Sequence, residues 1–154
     1  MVAMSQVTKQ LRTLVPLIAC VGCGPGSVEE YDAFPCLNAG TLCVTLEIPK
    51  NYSGTPRKLS TGFYDTSDTA RIPNEQLPTI DYPTIVAGED YALSFKDMDF
   101  TGDYFLMFIL FDEDGGTYIP KVDIDYTATT SDAISIDGGP IEIGSMKMKL
   151  KRAD

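Results

Sequence analysis

The chain contains no histidine and no tryptophan among its 154 residues. Without histidine it cannot form a Ser-His-Asp or Cys-His catalytic set, an imidazole metal site or a histidine proton shuttle. The absence of tryptophan weakens a carbohydrate-stacking platform, although tyrosine can still supply one. The chain also lacks a Gly-rich phosphate loop. These absences exclude several large classes of enzyme and favour a binding or structural role.

Basic residues are scarce, because 12 Lys and Arg stand against 22 Asp and Glu, which gives a formal net charge of −10. A negative field of this size repels nucleic acid and anionic lipid surfaces, so neither is an expected partner. Hydrophobic residues make up 44% of the chain. That content and this length predict one packed domain.

Acidic residues are absent before Glu29, and the preceding segment has the parts of an export signal. Lys9 and Arg12 come before the apolar run 13–22, which is shorter than the roughly 20 residues that a transmembrane helix needs. We expect residues 1–22 to be a signal, and removing it leaves ten basic against 22 acidic residues, a charge of −12. The alternative is an ordinary N-terminal strand over residues 11–22.

The end of the apolar run resembles the bacterial lipobox, in which a cysteine is lipidated and becomes the new N-terminus. The matching residues are Leu17-Ile18-Ala19-Cys20, and Cys23 competes with Cys20 for the lipid. The resemblance implies an exported lipoprotein of the bacterial cell envelope, anchored to a membrane through its N-terminal lipid. Cys20 follows the better residues, whereas cleavage before Cys23 leaves an even number of cysteines, so the site stays open.

Cys36 and Cys43 enclose six residues, including Asn38-Ala39-Gly40. In an oxidising compartment such a pair favours a disulfide, because an unpaired thiol is reactive there. Residues 23–40 are polar and contain Gly and Pro, which predicts a flexible tether. The disulfide would join this tether to the first strand of the domain, which we place at residues 41–151.

After residue 40 the chain reads as short strands separated by turns. Leu42, Val44, Leu46 and Ile48 alternate with polar residues and predict a strand with one apolar face. The run 104–111 is apolar on both faces and predicts a central strand, while the prolines in 70–84 predict short or edge strands. Further strands are expected at 59–63, 91–95, 118–119, 122–126, 133–136 and 140–150, the last with a bulge at Gly144-Ser145.

This pattern predicts an all-β fold, a single antiparallel β-sandwich of seven or eight strands. The segments YALSF at 91–95, DFTGDY at 99–104 and FILFD at 108–112 resemble the carboxypeptidase-regulatory-like, or prealbumin-like, β-sandwich. In that turn the glycine allows a tight bend, and Tyr104 buries its ring while its hydroxyl reaches the backbone. The resemblance implies a spacer, scaffold or binding module, usually without catalysis.

Several acidic residues lie in turns near the end of the central strand. Asp112 and Asp114, combined with Asp123 or Asp125 across a local loop, are the candidate ligands of a calcium ion. The alternative is a set of ordinary acidic β-turns. No other cofactor is expected.

We therefore expect a non-catalytic binding or structural module at the cell envelope, whose partner is an envelope protein or a glycan. No catalytic residue is assigned. Two alternatives stay open: a calcium-dependent adhesion or ligand-binding domain, and a small hydrolase that uses two carboxylates in a cleft.

Overall fold

The computed structural model of the protein describes residues 28–30, 36–113 and 118–153. Over these ranges the chain forms eleven strands and no helix. The strands are β1 Val28–Glu30, β2 Leu42–Glu47, β3 Lys58–Tyr64, β4 Glu75–Gln76, β5 Ile80–Asp81, β6 Asp90–Phe95, β7 Gly102–Phe111, β8 Tyr126–Thr129, β9 Ile134–Ile136, β10 Ile141–Lys147 and β11 Lys149–Leu150.

The strands form two sheets that share one core. The first has the order β1-β6-β2-β10, and the second has the order β11-β8-β7-β3-β4, with β5 also on β3 and β9 also on β7. Side chains from both sheets meet between them; the rings of Phe95 on β6 and Phe108 on β7, for example, lie 6.2 Å apart. The all-β prediction is confirmed, and the two layers are consistent with the predicted β-sandwich.

Two details of the predicted sandwich are wrong. β10 pairs with β2 in parallel, whereas the prediction was antiparallel throughout. The described ranges contain eleven strands rather than seven or eight, partly because short segments pair where prolines prevent longer strands. Pro73, Pro78 and Pro83 leave only the two-residue strands β4 and β5 between them, both on β3, as the sequence indicated.

Alternation places the aliphatic residues of β2 in the core. Leu42, Val44 and Leu46, with Ile48 just beyond the strand, are all buried in the same cluster. On the opposite face Cys43 is buried as well, and its Sγ lies 2.14 Å from Cys36 Sγ with a Cα–Cα distance of 6.0 Å. The predicted disulfide is therefore present, and it joins the residues before β2 to that strand.

β7 is the central strand of the second sheet and is apolar on both faces, as predicted. Leu106, Phe108 and Leu110 face the core between the sheets. Met107, Ile109 and Phe111 belong to a separate buried cluster with Tyr64, which we call the outer cluster. β3 and β8 pair with β7 on its two sides. The two faces of this strand thus serve two distinct apolar environments.

The chain end passes from one sheet to the other. The register between β10 and β2 shifts between Glu142 and Gly144, and Gly144 has a φ of 79°, so the predicted bulge is present. Met148 separates β10 from β11 and is buried in the core, after which β11 pairs with β8 of the second sheet. The final strands therefore connect the two sheets along one side.

In the turn before β7 the Tyr104 hydroxyl reaches the backbone, as the resemblance implied, but Tyr104 is half-buried rather than buried. Gly102 has a φ of 142°, and a Cβ there would lie 2.9 Å from the Tyr104 ring. The Tyr104 hydroxyl donates a hydrogen bond of 3.2 Å to the Thr101 carbonyl, and its ring packs edge-on against Phe63 and Phe100. Only glycine allows the ring to lie this close to the turn.

Residues 118–119 and 122–126 were predicted to be strands, and this prediction is wrong except for Tyr126. The backbone N–H of Asp125 donates to the Lys121 carbonyl at 3.1 Å, which forms a turn instead.

Residues 1–27, 31–35 and 114–117 lie outside the described residues, and with them the signal segment, Cys20 and Cys23. β1, within the range predicted as a tether, pairs with β6. No helix that could span a bilayer occurs in the described part of the chain.

Candidate functional site

The acidic residues proposed from the sequence do not form a common site in the described part of the chain. Asp125 is buried, and its two carboxylate oxygens accept hydrogen bonds from the backbone N–H groups of Asp112 (3.1 Å) and Lys121 (2.6 Å). Asp123 lies on the surface, where its carboxylate is bonded to Arg152. Asp125 therefore holds the loop between β7 and β8 in place.

Asp112 has the most perturbed carboxyl group of the set. The Tyr52 hydroxyl donates a hydrogen bond of 2.8 Å to Asp112 Oδ1. Burial raises the pKa of Asp112, the bond from Tyr52 opposes the increase, and the charge of Asp125 adds to it. Burial and then the bond to Asp112 raise the pKa of Tyr52 above its ordinary value of 10.0. Gly54 leaves room for this carboxylate, since a Cβ there would lie 1.6 Å from Asp112 Oδ2.

This cluster, which we call the Tyr52–Asp112–Asp125 network, is built from groups that already bond one another. Over residues 36–113 and 118–153, no group of three or more His, Cys, Asp or Glu side chains is placed to hold a metal ion. Asp114, the fourth proposed ligand, lies outside the described residues, so a calcium site that includes it stays a prediction. Both carboxylate oxygens of Asp125 accept hydrogen bonds from backbone N–H groups. Glycoside hydrolysis requires two carboxyl groups that are free to act on the substrate, so Asp125 is a poor candidate for the second one.

A cavity of about 480 Å³, which we call the cleft, opens at one side of the sandwich. Its walls come from both sheets: Leu46 and Leu93 lie on the first sheet, while Leu59 and Leu110 lie on the second. Met148, where the chain passes between the sheets, also lines it. None of the described side chains that line the cleft carries a charge. Cavities of this size with mostly apolar walls are typical of small-molecule sites.

The segment 77–86, which we call the rim segment, forms one wall of the cleft. It is attached to β3 at two points: Leu77 N–H donates to the Thr61 carbonyl at 3.1 Å, and Ile80 pairs with Leu59. The Thr79 hydroxyl shares a hydrogen bond of 3.2 Å with the Ser60 hydroxyl. Pro78, Pro83 and Ile85 then turn their side chains toward the cavity. Because proline lacks an N–H, this segment cannot pair further and leaves the cleft accessible.

Tyr82 is the strained residue of the rim segment. It has a φ of 50°, a left-handed conformation that bulky residues rarely adopt, and its side chain is 64% exposed. Its N–H donates to the Arg57 carbonyl at 2.6 Å, and the Arg57 guanidinium lies 5.7 Å from the centre of its ring. Strain of this kind is concentrated at functional sites, because the surrounding structure must hold it in place.

Tyr91, on β6, also lines the cleft. Its hydroxyl accepts a hydrogen bond of 2.8 Å from the Val86 N–H and donates one of 3.3 Å to Glu89 Oε2. Val86 itself is 47% exposed and directly follows the lining residue Ile85. The bond to Val86 therefore joins the end of the rim segment to β6.

Sequence reasoning missed the cleft, although one signal for it was present. Prolines at 73, 78 and 83 and isoleucines at 80 and 85 mark a segment that contains apolar residues yet cannot form a long strand. Such a segment contacts the apolar core through its side chains and not through the hydrogen bonds of a regular strand.

Comparison with protein-family models, with curated proteins and with solved structures finds no match for this chain. The cleft and the network therefore carry the functional argument by themselves.

Proposed function

We propose that the protein is an exported, lipid-anchored binding module of the bacterial cell envelope that holds a ligand in the cleft and catalyses no reaction. The observation that carries the binding role is the uncharged cavity of about 480 Å³ between the two sheets. Ligand sites are generally concave and mostly apolar, with a few polar groups that orient the ligand. Thr79, Thr84 and Tyr91 provide such groups here.

The composition of the cleft favours binding over catalysis. Among the described residues, no Asp, Glu, Lys, Arg or Cys side chain lines it. Catalysis would therefore depend on the hydroxyls of Thr79, Thr84 or Tyr91, and a hydroxyl nucleophile needs an adjacent general base, which the described lining does not include. Asp112 has a raised pKa but belongs to the Tyr52–Asp112–Asp125 network and does not line the cleft.

The proposed sandwich is of the prealbumin-like kind. The support comes from the segments at 91–95, 99–104 and 108–112 that resemble that family, and from the Tyr104 hydroxyl bonded to the Thr101 carbonyl at the start of β7. Two sheets that share a core are compatible with this assignment. Members of such families serve as spacers, scaffolds or binding modules, in line with a ligand-binding role.

Anchoring at the envelope is supported by the resemblance of residues 17–20 to a lipobox and by the disulfide between Cys36 and Cys43, which suits an oxidising compartment. The test is the mass of the N-terminal peptide from the membrane fraction of a bacterial host that produces the full chain. We expect an acyl group on one cysteine. One of the two substitutions Cys20→Ser and Cys23→Ser should remove this modification, and the control Cys36→Ser should retain it. An intact, unmodified N-terminus in the unchanged chain would contradict the anchoring.

A further inference from the structure

We infer that the cleft selects an uncharged, largely apolar small molecule and discriminates against anionic amphiphiles of the same shape. This inference rests on the proposed function, since it names the chemical class of the ligand for the same site. It follows from three features: the lining of the cleft, its polar groups and the net charge of the chain.

The lining supplies no charge to balance one on a ligand. Leucine, isoleucine, proline and methionine side chains make up most of the wall, and no lysine or arginine of residues 36–113 and 118–153 lines it. A carboxylate or sulfonate moved into such a cavity loses its water and gains no cation in return. An uncharged apolar molecule gains from leaving water and meets no such penalty.

The polar groups of the lining are hydroxyls, which suit one neutral polar group of a ligand. Thr79 already shares its hydroxyl with Ser60 at 3.2 Å, and the Tyr91 hydroxyl bonds Val86 and Glu89. Thr84 lies on the exposed side of the lining. A hydroxyl, ester or amide group near Thr84 would therefore be accommodated, whereas a charged group would not.

The net charge of the chain reinforces this selection. The charges beside the cleft are mixed: Glu89 is bonded to the lining residue Tyr91, Lys58 lies 3.9 Å from Asp81, and the Arg57 guanidinium lies 5.7 Å from the centre of the Tyr82 ring. The whole chain, in contrast, has a net charge of −10. An approaching anion therefore meets the negative field of the protein, which lowers its local concentration.

Two fluorescent probes that differ by a single sulfonate test the inference on the full chain. N-phenyl-1-naphthylamine is uncharged, and 8-anilino-1-naphthalenesulfonate has the same aromatic skeleton with one negative charge. We expect the uncharged probe to bind saturably at one site per chain, and the sulfonate to bind at least about tenfold more weakly. Thr84→Trp, which places a large ring at the opening, should abolish binding of the uncharged probe.

The matched control is Ile72→Trp, because Ile72 is 76% exposed and does not line the cleft. This variant should bind the uncharged probe as the unchanged chain does. Equal affinity for both probes, still abolished by Thr84→Trp, would overturn the selection by charge and leave the binding role of the cleft standing. Binding of neither probe, or binding that Thr84→Trp leaves unchanged, would overturn the binding role as well.

Discussion

The Tyr52 hydroxyl donates a hydrogen bond of 2.8 Å to Asp112 Oδ1 and thereby joins the turn after β2 to the end of β7. The same Asp112 donates its backbone N–H to Asp125, which precedes β8. The Tyr52 ring packs edge-on against Tyr126 at 4.9 Å. One end of the sandwich is thus held by a polar network that spans both sheets.

Removing the Tyr52 hydroxyl should destabilise the protein. In Tyr52→Phe the half-buried carboxylate of Asp112 loses its side-chain donor, and hydrogen bonds to charged groups contribute about 1.5–3 kcal/mol. We expect the free energy of unfolding to fall by about 1–2 kcal/mol, since Asp112 retains some contact with water. Urea unfolding followed by circular dichroism measures this change. An unchanged midpoint would show that the bond contributes nothing to stability.

The same substitution at Tyr64 should have the opposite or no effect, which makes it a matched control. Tyr64 is fully buried in the outer cluster, and its hydroxyl has no hydrogen-bond partner among the described residues. Replacing an unsatisfied buried hydroxyl with hydrogen removes a desolvation penalty of about 1–3 kcal/mol in part or in full. Tyr64→Phe should therefore be neutral or stabilising in the same urea experiment. A clear loss of stability would reveal a partner for this hydroxyl.

Alkaline titration gives an independent check on Tyr64. Burial, with a smaller contribution from Tyr118, raises the pKa of Tyr64 from 10.0 to about 12. Because the unfolded state releases this proton first, ionisation of Tyr64 leaves the stability of the protein unchanged below pH 10 and lowers it as the pH rises toward 12. The free energy of unfolding of the unchanged chain should therefore fall relative to that of Tyr64→Phe between pH 10 and pH 12. A constant difference would contradict the raised pKa.

Asp112 should make the protein less stable as the pH rises from acid to neutral. Its pKa is raised above the ordinary value of 3.8, so the folded state retains the proton longer than the unfolded state does. Its contribution to stability is therefore complete below 3.8 and is lost as the pH rises through the raised pKa. Asp112→Asn keeps an acceptor for Tyr52 but does not titrate. The stability of the unchanged chain relative to this variant should fall across that window, and a rise would contradict the account.

Reduction of the disulfide should destabilise the domain moderately. Cys36 and Cys43 are separated by seven positions, so the closed loop is short. The chain-entropy relation for a loop of this length gives a stabilisation of about 2.5 kcal/mol. We expect a loss of that order in Cys36→Ser and in the reduced unchanged chain, measured by urea unfolding. Equal stability in the presence and absence of a reductant would show that the crosslink leaves the unfolded ensemble unchanged.

Local sequence patterns predicted the strands whose side chains alternate, but not the direction in which those strands pair. The period of two along β2 and the doubly apolar run of β7 were enough to assign their buried faces. The bulge at Gly144 was also evident, because the phase of the alternation shifts within a few positions, whereas the turn of Gly102 with Tyr104 was implied by the resemblance to the prealbumin-like family. The parallel pairing of β10 with β2 depends on the path of the whole chain, which alternation does not encode.

The candidate site was harder to predict than the strands. Asp125 looked like a metal ligand, because sequence cannot show that its two oxygens accept backbone N–H groups from Asp112 and Lys121. The cleft joins side chains from β2, β3, β6 and β7, which are distant in sequence. Only the spacing of the prolines in the rim segment indicated that no regular strand would cover part of the apolar surface of the core.

The most direct test of the account is to locate the bound uncharged probe, N-phenyl-1-naphthylamine, by methyl NMR on the full chain. β7 provides an internal control, because Leu110 lines the cleft while its neighbour Ile109 lies in the outer cluster. We predict that the methyl signals of Leu46, Leu59 and Leu110 shift on titration and that those of Ile109 and Met107 do not. Shifts confined to Ile109 and Met107, or no shifts at all, would contradict a binding role for the cleft.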